Sequence, residues 1–222
     1  LTKSYHSAVS VLNLNFFTSQ DVKSYGAMPL VLDENGRVTL TQEFSDMLTN
    51  DFFKAQVLDI IQTAKLRNKE YRATNQLVIG KPYSYTDVCR LLNWEKDERA
   101  TIGGYTSKFG TTPIFVNLDK AEDAIQYADK LIDRDEFSWH SRKNRTLASS
   151  EIKPIIDGST VNHLLVRRKD ADKNSEFLYL GQIQPMAYRD DQLDGAPIVQ
   201  MDFKLETPIE KNLYDYLTAD FS

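Results

Sequence analysis

The chain has 222 residues, 41% of them hydrophobic and 27% charged, with a net charge of −5. That composition excludes fibrous and low-complexity chains, and the length suits one large domain or two small ones. No apolar run approaches about 20 residues, which excludes a membrane span or signal peptide, and the single cysteine, Cys89, excludes an internal disulfide and points to a reducing cytoplasm.

Residues 1–76 read as a small helical module. Val9, Leu12 and Phe16 recur at helical spacing, and two short strands flank an Asp33–Gly36 turn. Thr41 and Asn50 are placed to cap two further helices, the second with Phe53, Val57, Leu58, Ile61 and Ala64 on one face. Helices around a small hairpin suggest a winged-helix-like linker or docking module, and its charges balance, eight acidic against eight basic. The absence of an initiator methionine suggests a piece of a longer polypeptide.

From residue 77 the texture changes to short strands, beginning with Leu77–Ile79. Ser84 and Asp87 form a capping pair for a helix burying Val88, Leu91 and Leu92, which Asn93 and Trp94 end. Gly103–Gly104 marks a tight turn into a strand, and residues 113–116 form an apolar one. Asp119 and Glu122 open a predicted helix carrying Ala121, Ala124, Ile125, Ala128, Leu131 and Ile132. A hairpin follows over 163–169 and 176–183, then a strand over 197–205. Thr207, Pro208 and Glu210 announce a closing helix.

Between these elements lies the most unusual stretch, residues 137–150, FSWHSRKNRTLASS. It holds Trp139, Arg142, Lys143 and Arg145 and contains no carboxylate. From residue 138 to 169 seven Lys/Arg, including Arg167 and Arg168, face two acids, whereas from 186 to 222 three face eight. Cations interleaved with an aromatic and hydroxyls suit phosphate contact and base stacking. Arg142, Lys143 and Arg145 are thus candidates for phosphate, Trp139 or Tyr105 for stacking, and Ser141 or Thr146 for a base edge. A solvated basic loop is the plainer reading of the same residues.

Other chemistries lack their motifs. Gly80–Lys81 has neither the earlier glycine nor the following Ser/Thr of a phosphate-binding loop, and there is no paired-cysteine zinc site or nucleophile elbow, so no cofactor or metal is expected. Asp129, Asp133 or Asp135 with Glu151 and Lys153 loosely matches a metal-dependent nuclease set. A purely structural module that acts through protein contacts is the third reading.

Read together, residues 83–94 (YSYTDVCRLLNW), 102–105 (IGGY), 113–120 (PIFVNLDK), 137–151, 163–170 (HLLVRRKD) and 177–186 (FLYLGQIQPM) resemble a family. It is the C-terminal domain, formerly of unknown function, of large bacterial proteins that join a phospholipase-D-type nuclease to a superfamily 2 helicase, the SauUSI type of modification-dependent restriction enzyme. The resemblance spans about residues 83–216. It implies an α+β fold with a barrel-like sheet similar to SET-and-RING-associated (SRA) domains, in a unit of residues 77–222. It implies a non-catalytic module that reads 5-methyl- or 5-hydroxymethylcytosine in double-stranded DNA by base flipping, with helicase and nuclease domains in the same longer polypeptide. The nuclease and helicase signatures are absent from this chain.

Overall fold

The computed structural model describes residues 3–68, 77–119, 129–169 and 176–219. The fold is α+β and divides into two compact units, Leu1–Val78 with Cys89–Glu98, and Ile79–Val88 with Arg99–Ser222.

In the first unit, α1 (Lys3–Leu12) and α2 (Ser19–Tyr25) precede a hairpin of β1 (Val31–Glu34) and β2 (Arg37–Leu40), then α3 (Gln42–Met47) and α4 (Asp51–Arg67). The caps stand where the sequence places them: Thr41 Oγ1 accepts from Phe44 N, and Asn50 Oδ1 from Phe53 N. Val9, Phe16, Val31, Leu77, Leu92 and Trp94 are buried. Ser7 Oγ donates to Arg90 O at 2.8 Å, and Asp97 N donates to Phe16 O at 2.8 Å. The predicted buried face of α4 is corrected: the helix has no buried residue, and Leu58 and Ile61 lie open to solvent.

The second unit opens on β3 (Pro82–Tyr83), not on the strand expected at 77–79. Helix α5 (Tyr85–Leu91) has the expected capping box. Ser84 Oγ accepts from Asp87 N, and Asp87 Oδ2 accepts from both Ser84 N and Ser84 Oγ. After α6 (Arg99–Ile102) come β4 (Thr111–Asp119), β5 (Lys130–Asp133), β6 (Glu136–His140), α7 (Lys153–Ile156), β7 (Val161–Lys169), β8 (Phe177–Leu193), β9 (Ala196–Leu205) and α8 (Lys211–Thr218).

These strands form a curled sheet of order β4-β7-β8-β9-β6-β5, with β3 against β8. Only β4 and β7 run parallel; β7–β8, β8–β9, β9–β6 and β6–β5 are antiparallel. Tyr105, Ile114, Val116, Phe137, Trp139, Leu164, Val166, Leu180, Val199, Met201 and Phe203 line the inner face as one core, closed by Ile209 and Leu217. On the other face of β4–β7–β8, Phe115 and Phe177 pack against Tyr85, with ring centroids 4.1 and 5.2 Å away.

Three further expectations change. Most of the helix predicted to follow Asp119 lies outside the described residues. Its last two apolar positions, Leu131 and Ile132, belong to β5, where alternation buries Leu131 and exposes Ile132. The closing helix starts at Lys211, with Glu210 as its N-cap residue, and not at Pro208. The start of the basic stretch is a strand: Phe137 and Trp139 face inward, while Glu136, Ser138 and His140 face outward.

Candidate nucleic-acid interface

Strand β6 delivers the chain to the basic segment at Ser141. Its Oγ accepts from Val199 N at 2.9 Å and donates to Arg142 O at 3.0 Å, while Ser141 N donates to Val199 O at 2.8 Å. This fully buried hydroxyl locks the loop to β9. Its hydrogen-bonding capacity is committed to backbone, which corrects its candidacy for reading a base edge.

Beyond it, two arginines close on one carboxylate. Arg142 Nη2 lies 2.9 Å from Glu151 Oε2. Arg145 grips the same group with two nitrogens, Nε at 2.5 Å and Nη2 at 3.2 Å. The Arg145 guanidinium, with Arg142 behind it, holds the Glu151 carboxyl below the usual carboxylate range. Two cations share one anion, so the cluster keeps a surplus positive charge. Its side chains are 28–40% exposed, within reach of solvent and of any polyanion.

Arg142 is fixed from four sides. Its guanidinium carbon lies 4.4 Å above the Tyr105 ring, Nη1 donates to Gly103 O at 3.3 Å, Nη2 approaches Tyr105 O at 3.5 Å, and Glu151 takes the remaining side. Gly103 is required here. It sits at φ +51°, and a Cβ at that position would stand 2.7 Å from Arg142 Nη1. Gly103 therefore does more than turn the chain; it leaves space beside the backbone for the arginine head. Arg142 Nε and the Tyr105 hydroxyl are both buried without a hydrogen-bond partner.

The acidic hairpin of β8 and β9 braces the other side of the loop. Lys143 Nζ pairs with Asp194 Oδ2 at 2.8 Å, Leu147 N donates to Asp190 Oδ1 at 2.8 Å, and Arg145 N donates to Pro197 O. The acidic region of residues 186–222 thus meets the basic segment directly. It pairs with Lys143, while Arg142 and Arg145, both partly exposed, share Glu151.

The sequence offers Trp139 as a candidate for stacking on a base. The structure corrects this: Trp139 is 3% exposed, edge-on to Tyr105 with centroids 5.0 Å apart, and packed toward Phe203. Tyr105 is 2% exposed, so its outer face serves Arg142 and not a base. Thr146 is half-buried in the loop, its N–H donating to Ser149 Oγ. Arg167 and Arg168 are not part of the cluster. Tyr105 bridges Ile114, which pairs with Leu164, so Arg167 lies three positions further along β7. There it donates to Asn117 Oδ1 and lies over Phe177, while Arg168 donates to Ala219 O.

The nuclease-type set is not assembled. Asp135 pairs with Lys204 at 2.8 Å, Glu151 is held by the two arginines, and no group of three potential metal ligands gathers among the described residues. Sequence reasoning missed Glu151 as the clasp of the basic segment, along with Asp190 and Asp194. Its one available signal was that Glu151 is the first acid after a carboxylate-free run.

Residues 77–217 match the profile of the family described as "Domain of unknown function (DUF3427)", and the chain belongs to that family. Residues 2–73 match a second, "Domain of unknown function (DUF8090)". No curated protein matches the sequence. Among solved structures, the chain is similar to the SUVH5 SRA domain in complex with hemi-methylated CG DNA, at 14% identity and a TM-score of 0.41 over 60% of this chain and 92% of that one. It is also similar to the DNA recognition domain of the cytosine modification-dependent restriction endonuclease LpnPI, at 12% identity and a TM-score of 0.39 over 60% and 75%. A third is Arabidopsis thaliana SUVH6 in complex with SAM, at 13% identity and 0.39 over 94% and 38%. Among the described residues no helix is long and apolar enough to cross a membrane.

Proposed function

We propose that this chain is the target-recognition part of a modification-dependent restriction enzyme, and that its second unit binds duplex DNA bearing 5-methyl- or 5-hydroxymethylcytosine with the modified base extruded. Helicase and nuclease domains belong to the same longer polypeptide in this reading, and the chain itself contributes binding without catalysis. The observation that carries it is the Arg142–Arg145 pair. Two planar guanidiniums, positioned by Gly103, Tyr105 and Ser141, stand partly exposed at the end of β6 around a single carboxylate. The bidentate fork that Arg145 offers Glu151 is the geometry that also binds a phosphate, which would take the place of the carboxylate. Trp139 and Tyr105 support the site from beneath. The resemblance of the sequence motifs supplies the modified cytosine.

Titration of matched duplexes containing plain, methylated or hydroxymethylated cytosine, at several salt concentrations, tests the reading. Modified duplexes should bind more tightly, and log K should fall against log salt with a slope of about −2 to −3 if two or three phosphates are contacted. Arg145→Ala should weaken modified and plain duplexes alike, by about tenfold, because phosphate contacts position without specifying. Equal affinity for all three duplexes, or no binding at low salt, would sink the proposal.

A further inference from the structure

We infer that Glu151 is an internal stand-in for a DNA phosphate, which restrains binding by holding the arginine seat until a duplex displaces it. The inference rests on the DNA-binding reading above. Arg142 Nη2, Arg145 Nε and Arg145 Nη2 converge on this one carboxylate, at 2.9, 2.5 and 3.2 Å. Charge-assisted, partly bidentate bonds of this kind are those that arginine also makes to phosphate. Carboxylate and phosphate therefore compete for the same nitrogens.

The carboxylate does not exhaust the seat. Its two oxygens take three donors, while Arg142 Nε and the Tyr105 hydroxyl are buried beside them without a partner. Arg142, Glu151 and Arg145 are all close enough to act on that hydroxyl, so it belongs to the same cluster. A buried donor with no acceptor costs free energy, which leaves a seat filled by a carboxylate alone underfilled. A phosphate presents its oxygens on a tetrahedral frame, against the flat pair of a carboxylate, and has acceptors to spare.

The cluster is also built so that the anion is the member that leaves. Glu151 is its most exposed side chain, at 40% against 33% for Arg142 and 28% for Arg145. Both arginines keep ties that do not involve it: Arg142 to Gly103 O and the Tyr105 ring, Arg145 Nη1 to Asn144 O at 3.0 Å. Ile152, next in the chain, is fully buried, so the carboxylate departs by rotation of its side chain while the backbone stays. The same carboxylate must leave whichever base the duplex carries. It therefore weakens plain and modified DNA by one factor, and keeps the far more numerous plain sites from occupying the arginines.

Glu151→Gln keeps the shape and removes the charge. Its control is Glu206→Gln, which takes one negative charge from an exposed position of the same unit outside the basic loop. Wild type and both variants are titrated with plain and methylated duplexes at several salt concentrations. Glu151→Gln should bind both duplexes about tenfold more tightly, leave their ratio unchanged, and steepen the fall of log K against log salt by about one, because both guanidiniums then meet phosphate unopposed. Glu206→Gln should change affinity by about twofold or less, its charge being screened from the seat. A merely structural clasp predicts the opposite sign for Glu151→Gln, since loosening the loop weakens binding. If Glu151→Gln binds no more tightly than Glu206→Gln, the stand-in is overturned and the DNA-binding reading stands. If neither wild type nor Glu151→Gln holds any duplex, both fall together.

Discussion

Trp139→Ala should destabilise the second unit by about 3–5 kcal/mol, the cost of a large core truncation with partial collapse of the cavity. The indole is 3% exposed and lies on the strand between β5 and β9, touching both Tyr105 and Phe203. Removing it empties the centre of the inner face and takes away the edge that orients the Tyr105 ring, and with it the platform under Arg142. For a unit of this size the melting temperature should fall by about 10 °C or more. DNA affinity, measured well below the new melting point, should weaken for plain and modified duplexes together, since the loss reaches DNA only through Arg142. A melting temperature within a degree or two of wild type would contradict the placement of the ring. A loss confined to modified duplex would instead put the ring against the base.

The second large effect is acid lability through His163. The imidazole is buried on β7, with Nδ1 3.0 Å from the Tyr179 hydroxyl. Burial holds its pKa down from 6.5 to about 4 and pushes the Tyr179 phenol up, so near neutral pH a neutral imidazole and a neutral phenol share this hydrogen bond. Between pH 6.5 and 4 the unfolded chain takes up a proton at this site and the folded chain does not. Stability is therefore fully present above about pH 6.5 and falls as the pH drops toward 4, by about 3 kcal/mol in all. Urea unfolding at intervals from pH 7.5 to 4.5 reads this slope directly. His163→Gln should start less stable and show a flatter profile across the window. An unchanged slope in that variant would assign the acid sensitivity to other groups.

The parts of the fold legible in the sequence were those set by local chemistry. Thr41, Asn50 and the Ser84–Asp87 pair cap helices because each bond closes within three residues. Strands β7 and β8 carry apolar runs long enough to read, and β9 alternates cleanly. The misreadings share a cause, in that the deciding contact lies far along the chain. Leu131 and Ile132 continue a helical spacing, and only pairing with β6 makes them a strand. Trp139 sits among polar residues because it alternates with Ser138 and His140 across a sheet whose neighbouring strand is some sixty residues away. In the candidate site, the basic segment itself could be found, as its charge is contiguous. Its occupation by Glu151, Asp190 and Asp194 could not, because the bonds depend on how a loop folds back and where a distant hairpin passes. Nor does the sequence reveal that Gly103 makes room for Arg142.

The position of β9 bears on how the protein is made. Among the described strands of this sheet it is the last in chain order, yet it stands between β8 and β6 and is the element that joins the two halves of the sheet. The β5–β6 hairpin leaves the ribosome about 65 residues before its inner neighbour is complete, roughly 3–13 s at ordinary elongation rates. Through that interval Phe137 and Trp139 have no strand beside them on that side, and the arginine-bearing loop has no Val199 to hold. A nascent chain is thus adhesive until β9 emerges, and a message broken before the codons for β9 yields a polypeptide whose β5–β6 hairpin has no strand to join it to β8, not a shortened version of the domain.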